Sequence, residues 1–99
     1  DYIELHAEQE LKLSELANHV GYSEYYLSRK FKREMGVSIS SYIRFVRVEQ
    51  SKMMLVSSGV PISQIADSLH FASSSHYSES FREVTGKTPL QYRTENQKL

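Results

Sequence analysis

The chain has 99 residues, 39% of them hydrophobic, and its twelve lysines and arginines balance twelve aspartates and glutamates. That length supports one hydrophobic core and one domain. The absence of cysteine excludes a disulfide framework and thiolate chemistry, which fits a reducing interior, and no apolar run has the length of a bilayer span.

In chain order, a short amphipathic helix is predicted over roughly residues 2–9. Leu13 to Val20 follows, with Leu13, Leu16, Ala17 and Val20 at helical spacing. Ser23 is a suitable N-cap for a helix that runs to about Met35 and stops at Gly36. Ser40 lies near the start of the longest helix, about Ser40 to Ser57, which ends before Gly59. Pro61 suits the first turn of a helix over about Ile62 to Leu69. Ser73 or Ser74 caps a further helix reaching Thr85 and closed by Gly86, and Thr88-Pro89 opens a short final turn containing Tyr92 and Arg93. The reading is all-α. No signal-peptide pattern opens the chain, and a start at Asp1 rather than Met makes a piece of a longer protein the expectation.

One phrase occurs twice. Leu16-Ala17, Val20-Gly21-Tyr22-Ser23, Leu27, Phe31-Lys32 and Gly36 are answered by Ile65-Ala66, Leu69-His70-Phe71-Ala72, Tyr77, Phe81-Arg82 and Gly86. Ala17 to Ala66 and Tyr22 to Phe71 are offset by 49 residues, whereas Leu27 to Tyr77 and Phe31 to Phe81 are offset by 50. One extra residue therefore sits in the second turn. Each copy reads as helix, turn, helix. With residues 24–35 placed at about 100° per residue, Leu27, Phe31, Glu34 and Met35 fall on one side, and Glu24, Tyr25, Ser28, Arg29 and Lys32 on the other. The second copy has the same phase, with Tyr77, Phe81 and Val84 inward and Ser74, Ser75, Ser78, Glu79 and Arg82 outward. Tyr22, Phe71, Phe31, Phe81, Leu27 and Tyr77 are expected in the core.

An outward face of guanidinium, ammonium, hydroxyl and aromatic groups suits a helix in a DNA major groove, where arginine grips guanine through two hydrogen bonds and serine donates or accepts at several edges. Neutral net charge argues the other way, because phosphate neutralisation supplies most non-specific affinity. The charge is unevenly spread, however. Arg29, Lys30, Lys32, Arg33, Arg44, Arg47 and Lys52 cluster from the first motif to mid-chain, while Asp1, Glu4, Glu8, Glu10 and Glu15 lie before it. A basic face on a neutral domain predicts modest, strongly salt-dependent affinity.

These residues resemble the DNA-binding domain of the AraC/XylS family of bacterial transcription regulators. The resemblance runs from about Leu13 to Arg93. It is carried by Gly21-Tyr22-Ser23 with Leu27-Ser28-Arg29-Lys30-Phe31-Lys32, by Tyr42-Ile43 and Arg47, by Ile62, Ile65-Ala66 and Phe71, and by Phe81, Gly86-Lys87-Thr88-Pro89 and Tyr92-Arg93. It implies an all-α fold of about seven helices, with a first helix-turn-helix at about 13–36, a linker helix at about 40–57 and a second helix-turn-helix at about 62–86, the whole of 1–99 being one DNA-binding domain. It implies base-edge contacts at Glu24, Tyr25, Ser28 and Arg29, and at Ser74, Ser75, Ser78 and Glu79, in consecutive major-groove segments about 34 Å apart. Lys30, Lys32, Arg47 and Arg82 are the phosphate candidates, Arg47 being equally a residue that pairs across the central helix. Three positions depart from the family pattern: His70 replaces a turn glycine, Ser51 a common alanine, and Glu79 a residue that is often basic. Effector binding and dimerisation are implied for a separate N-terminal domain, leaving this piece monomeric.

Double-stranded DNA is thus the expected partner, RNA polymerase a second candidate, and a membrane is not expected; the protein would act in the cytoplasm, at the nucleoid. Two alternatives stay open: a helical protein-interaction module whose DNA-facing surface has decayed, and DNA binding through the first helix-turn-helix only. His70 and His76 are six residues apart without a metal-ligand spacing, and His6 and His19 lie in other helices, so neither a metal nor another cofactor is expected. The serines at 73, 74, 75, 78 and 80 come with no nucleophile elbow or paired base, and no phosphate-cradling glycine loop occurs. An enzyme is not expected.

Overall fold

The structure is a computed structural model that describes residues 13–97. Among them are six helices and no strand: α1 Leu13–Val20, α2 Glu24–Met35, α3 Ile39–Ser57, α4 Ile62–Ser68, α5 Ser74–Thr85 and α6 Pro89–Asn96. The all-α expectation holds for these residues. The helix expected over 2–9, on which a count of about seven depends, lies outside the described residues. The last element is a helix of eight residues rather than a short turn.

Hydroxyl caps set the helix starts. Ser23, Ser38, Ser73 and Thr88 each stand in extended backbone and accept from the amide three residues on, at Tyr26, Ser41, His76 and Gln91. Each satisfies an N–H that the helix itself leaves unpaired. Thr88 does more: the Gln91 side chain returns a bond to its amide, completing a capping box. Ser38, not Ser40, begins the central helix, because Ser38 is the residue whose oxygen meets the third amide of that helix.

Both turns between paired helices close the same way. The Tyr22 amide donates to the Ala17 carbonyl at 2.8 Å and the Gly21 amide to Asn18 at 3.2 Å; Phe71 donates to Ala66 at 3.0 Å and His70 to Asp67 at 3.1 Å. This is the Schellman pattern, which needs one left-handed residue. Gly21 supplies it at φ 77° and His70 at φ 62°. A histidine there is strained, as the departure from glycine implied. The turns themselves are equal in length, so the extra residue of the second copy falls between Phe71 and the Ser73 cap, at Ala72.

Two apolar clusters share the central helix. Ile39 and Val46 meet Leu27, Phe31, Tyr42 and Ile43 in the first, while Val48 and Leu55 join Ile65, Ala66, Leu69, Phe71, Tyr77 and Phe81 in the second. The second is much the denser. Tyr77, Phe81, Leu55, Leu69 and Val48 are all 0% exposed, whereas α2 has no fully buried residue at all. Tyr22, expected in the core, is 38% exposed. Its ring is instead stacked edge-on against Tyr26, centroids 4.8 Å apart, so it covers its own turn rather than entering a cluster. Leu27 and Phe31 are half-buried, and Phe31 meets Tyr42 at 5.4 Å. The pair recurs 50 residues on as Phe81 and Tyr92, also at 5.4 Å.

The central helix ends at Ser57, before Gly59 as expected, but not on a left-handed glycine, since only Gly21, Gly36 and Gly86 among the glycines have positive φ. Side chains of Arg93 on α6 and of Gln97, its C-cap, take that role. Arg93 Nε donates to the Leu55 carbonyl at 3.0 Å and its Nη2 to Val60 at 2.6 Å, and Gln97 Nε2 donates to Leu55 and Ser58. The carbonyls orphaned at the helix end are thereby satisfied, and the end of α3 is tied to the final helix.

Candidate nucleic-acid interface

On α2 the outward stripe is Glu24, Tyr25, Ser28, Arg29 and Lys32. All are exposed except half-buried Ser28, and Tyr25 reaches 71%. On α5, Ser74, Ser75, Glu79 and Arg82 are exposed and Ser78 is half-buried. The helical phase inferred for both copies therefore places every base-edge candidate, with Lys32 and Arg82, on two solvent-facing stripes at matching positions of the repeat. Among the described residues, the molecule offers these stripes from one body measuring 48 × 22 × 22 Å.

Chemically the stripes differ. Arg29 Nη1 donates to the Tyr25 hydroxyl at 2.8 Å, with Cζ 5.4 Å from the ring centroid. Arg33, which sequence reasoning left among general basic residues, lines an open groove with Tyr25, Tyr26, Arg29 and Lys30. Its position four residues after Arg29 is the signal that would have found it. Lys30 turns toward Glu34, Nζ to Oε1 2.7 Å. Their hydrogen bond, then their opposite charges, raises the lysine pKa and lowers that of the glutamate. By the 50-residue offset Lys30 answers buried Ser80 and Glu34 answers Val84, so this face of α2 is polar where α5 is packed.

Arg44 and Arg47 sit on the central helix, between the units. Arg47 Nη1 donates to the carbonyl of His70 at 3.5 Å, so its structural role is to tie the central helix to the strained second turn. Arg44 pairs with Glu83 at 3.5 Å, both groups well exposed. Arg44, Arg47 and Ser40 line a cleft with Phe71 and His76, whose rings lie 5.6 Å apart. Sequence reasoning gave Arg44 and His76 no part in a site. Their approach depends on how α5 packs on α3, which the local pattern does not encode. Among the described residues no group of His, Cys, Asp or Glu is placed to hold a metal ion, and no helix is long and apolar enough to cross a membrane.

A family model described as a helix-turn-helix domain matches residues 16–95. An uncharacterized HTH-type transcriptional regulator of Staphylococcus aureus is 40% identical over 98% of this chain, which spans only 14% of that relative's length. A transcriptional regulator from Chromobacterium violaceum, described among AraC-type DNA-binding domain-containing proteins, has a TM-score of 0.87 at 28% identity, covering 96% of this chain and 85% of that one. The DNA-binding domain of AdpA, a global transcriptional factor solved with a target DNA, shares the fold at a TM-score of 0.85 and 22% identity, covering 95% and 85%. With the doubled turn, the paired helices and the shared central helix in place, the chain belongs to the AraC-type helix-turn-helix family of DNA-binding domains.

Proposed function

We propose that α2 and α5 enter consecutive major-groove segments on one face of a DNA duplex and that the chain is the sequence-reading end of a bacterial transcription regulator. The observation that carries this is the pair of outward polar stripes at the same phase of two repeated units. Glu24, Tyr25, Ser28 and Arg29 take base edges in one segment, and Ser74, Ser75, Ser78 and Glu79 in the next. Lys32 and Arg82, at the outer flank of each helix, take phosphates, with Lys30 and Arg47 adding charge nearby. AdpA's complex with a target DNA supports the partner class. The central helix of 19 residues is about 28 Å long, a fair match to the repeat of about 34 Å between groove segments. The work belongs at the bacterial nucleoid, and contacts with RNA polymerase and dimerisation through further domains complete the regulator.

Arginine gives the first helix the stronger hold on a base, and Glu79 limits the second to partners such as the cytosine amino group. Selection of bound sites from random duplexes, followed by footprinting, tests this. Two protected segments one helical turn apart are expected; a single segment would mean that only the first unit enters a groove, and no binding even at low salt would favour a protein-interaction module. Arg29→Ala is expected to cost about 1–3 kcal/mol and to relax preference at one base pair. Glu79→Ala is expected to alter preference only in the second segment.

A further inference from the structure

We propose that Tyr25 acts on DNA through Arg29, its phenol holding the guanidinium in the orientation that reads guanine. The proposal rests on the assignment of Arg29 to a base edge and narrows the part given to Tyr25. The two residues stand four apart on one helix face, with the Tyr25 hydroxyl accepting from Arg29 Nη1 at 2.8 Å. Tyr25 is 71% exposed, so its ring does little for the core, and a large aromatic in that place needs another reason. With Nη1 occupied by the phenol, Nε and Nη2 remain. Those two donors form the guanidinium edge that delivers parallel hydrogen bonds to guanine O6 and N7.

Two further features favour this orientation. Arg33, four residues after Arg29, lines the same groove, so a like charge on that side disfavours swinging the guanidinium away from Tyr25 toward the C-terminal end of the helix. Lys30 is itself engaged by Glu34, which leaves the phenol to Arg29. An unrestrained arginine loses rotamer freedom when it settles on a base, and one already oriented has lost most of it in the free protein. The second unit has no such device, since Ser75 and Glu79 occupy the two corresponding positions.

The test uses the full 99-residue chain and site selection from random duplexes with the wild type, Arg29→Ala, Tyr25→Phe and the double variant. Tyr25→Phe keeps the ring and removes only the hydroxyl, and thermal melts check that each variant is folded. Guanine preference at the base pair lost in Arg29→Ala is expected to fall about two- to tenfold in Tyr25→Phe, the range of one hydrogen bond. Other positions keep their preferences, and Tyr25→Phe has no added effect when Arg29 is already alanine. The proposal is overturned if Tyr25→Phe is silent, if it changes a different base pair, or if the two substitutions act independently. A wild-type chain that selects no sequence overturns the groove-reading assignment itself and this proposal with it. Guanidinium nitrogen NMR on the free chain gives a readout without DNA: hindered rotation of the Arg29 Nη1 group is expected in the wild type and averaging in Tyr25→Phe. Equal averaging in both would overturn the pre-orientation.

Discussion

The two helix-turn-helix units share turns, caps and phase but divide the labour differently. The second carries Tyr77, Ser80 and Phe81 fully buried on α5, while the first buries none on α2. The outward faces reverse this order: the first presents an arginine poised on a tyrosine, the second serines and a carboxylate. Local backbone chemistry is thus enough to repeat a motif, whereas the tightness of its packing and the chemistry of its outward face are decided by side chains that vary independently of the turn.

The sharpest way to break the comparison is to remove equivalent rings. Phe81→Ala is expected to cost about 3–5 kcal/mol, since a fully buried ring leaves a cavity. Phe31→Ala, at the matching half-buried position, should cost roughly half as much, because part of its surface stays in water throughout. Equal costs in chemical denaturation would mean that the first unit is as tightly packed as the second.

Tyr77 sharpens the contrast further, since Leu27 answers it without a hydroxyl. The Tyr77 oxygen is buried without a hydrogen bond of normal geometry, although Ser51 lies close enough to favour its ionised form slightly. Burial raises the phenol pKa, with Ser51 and then Arg93 pulling it partly back. The neutral form therefore belongs to the folded state. Stability tied to it is intact below the unfolded phenol value of about 10 and is lost as pH rises through the raised folded value. Tyr77→Phe is expected to raise stability by about 1 kcal/mol at neutral pH and to reduce the alkaline loss, both readable in melts across pH.

A smaller effect is expected at the turns. His70→Gly should gain about 0.5–1 kcal/mol, the relief of a left-handed side chain less the entropy that glycine costs. His70→Ala, equally strained, should change stability little. If glycine gave no gain, the second turn would carry no more strain than the first.

Much of the fold was legible because its signals are local. Hydroxyl caps, left-handed glycines and helical phase each depend on residues within a turn of one another, which is why the boundaries at Val20, Met35 and Thr85 fall where the sequence places them. The outward stripes were legible for the same reason. Tyr22 was misjudged because a 49-residue correspondence with buried Phe71 says nothing about what stands over each ring. The end of the central helix at Ser57 was legible too, but what satisfies its carbonyls was not, because Arg93 and Gln97 reach it across 38 and 42 residues. Arg44 and His76 escaped notice likewise: their cleft exists only once α5 lies on α3.

The central helix has one more consequence. It is continuous, capped at its start and pinned by α6 at its end, and each apolar cluster grips one of its halves, so it acts as a strut with little compliance. If α2 and α5 enter consecutive groove segments as proposed, any mismatch between the strut and the groove repeat would be taken up by the duplex, which would bend or change twist between the two segments. Base steps that deform cheaply would be favoured there, so the operator would carry sequence information at base pairs that no side chain touches.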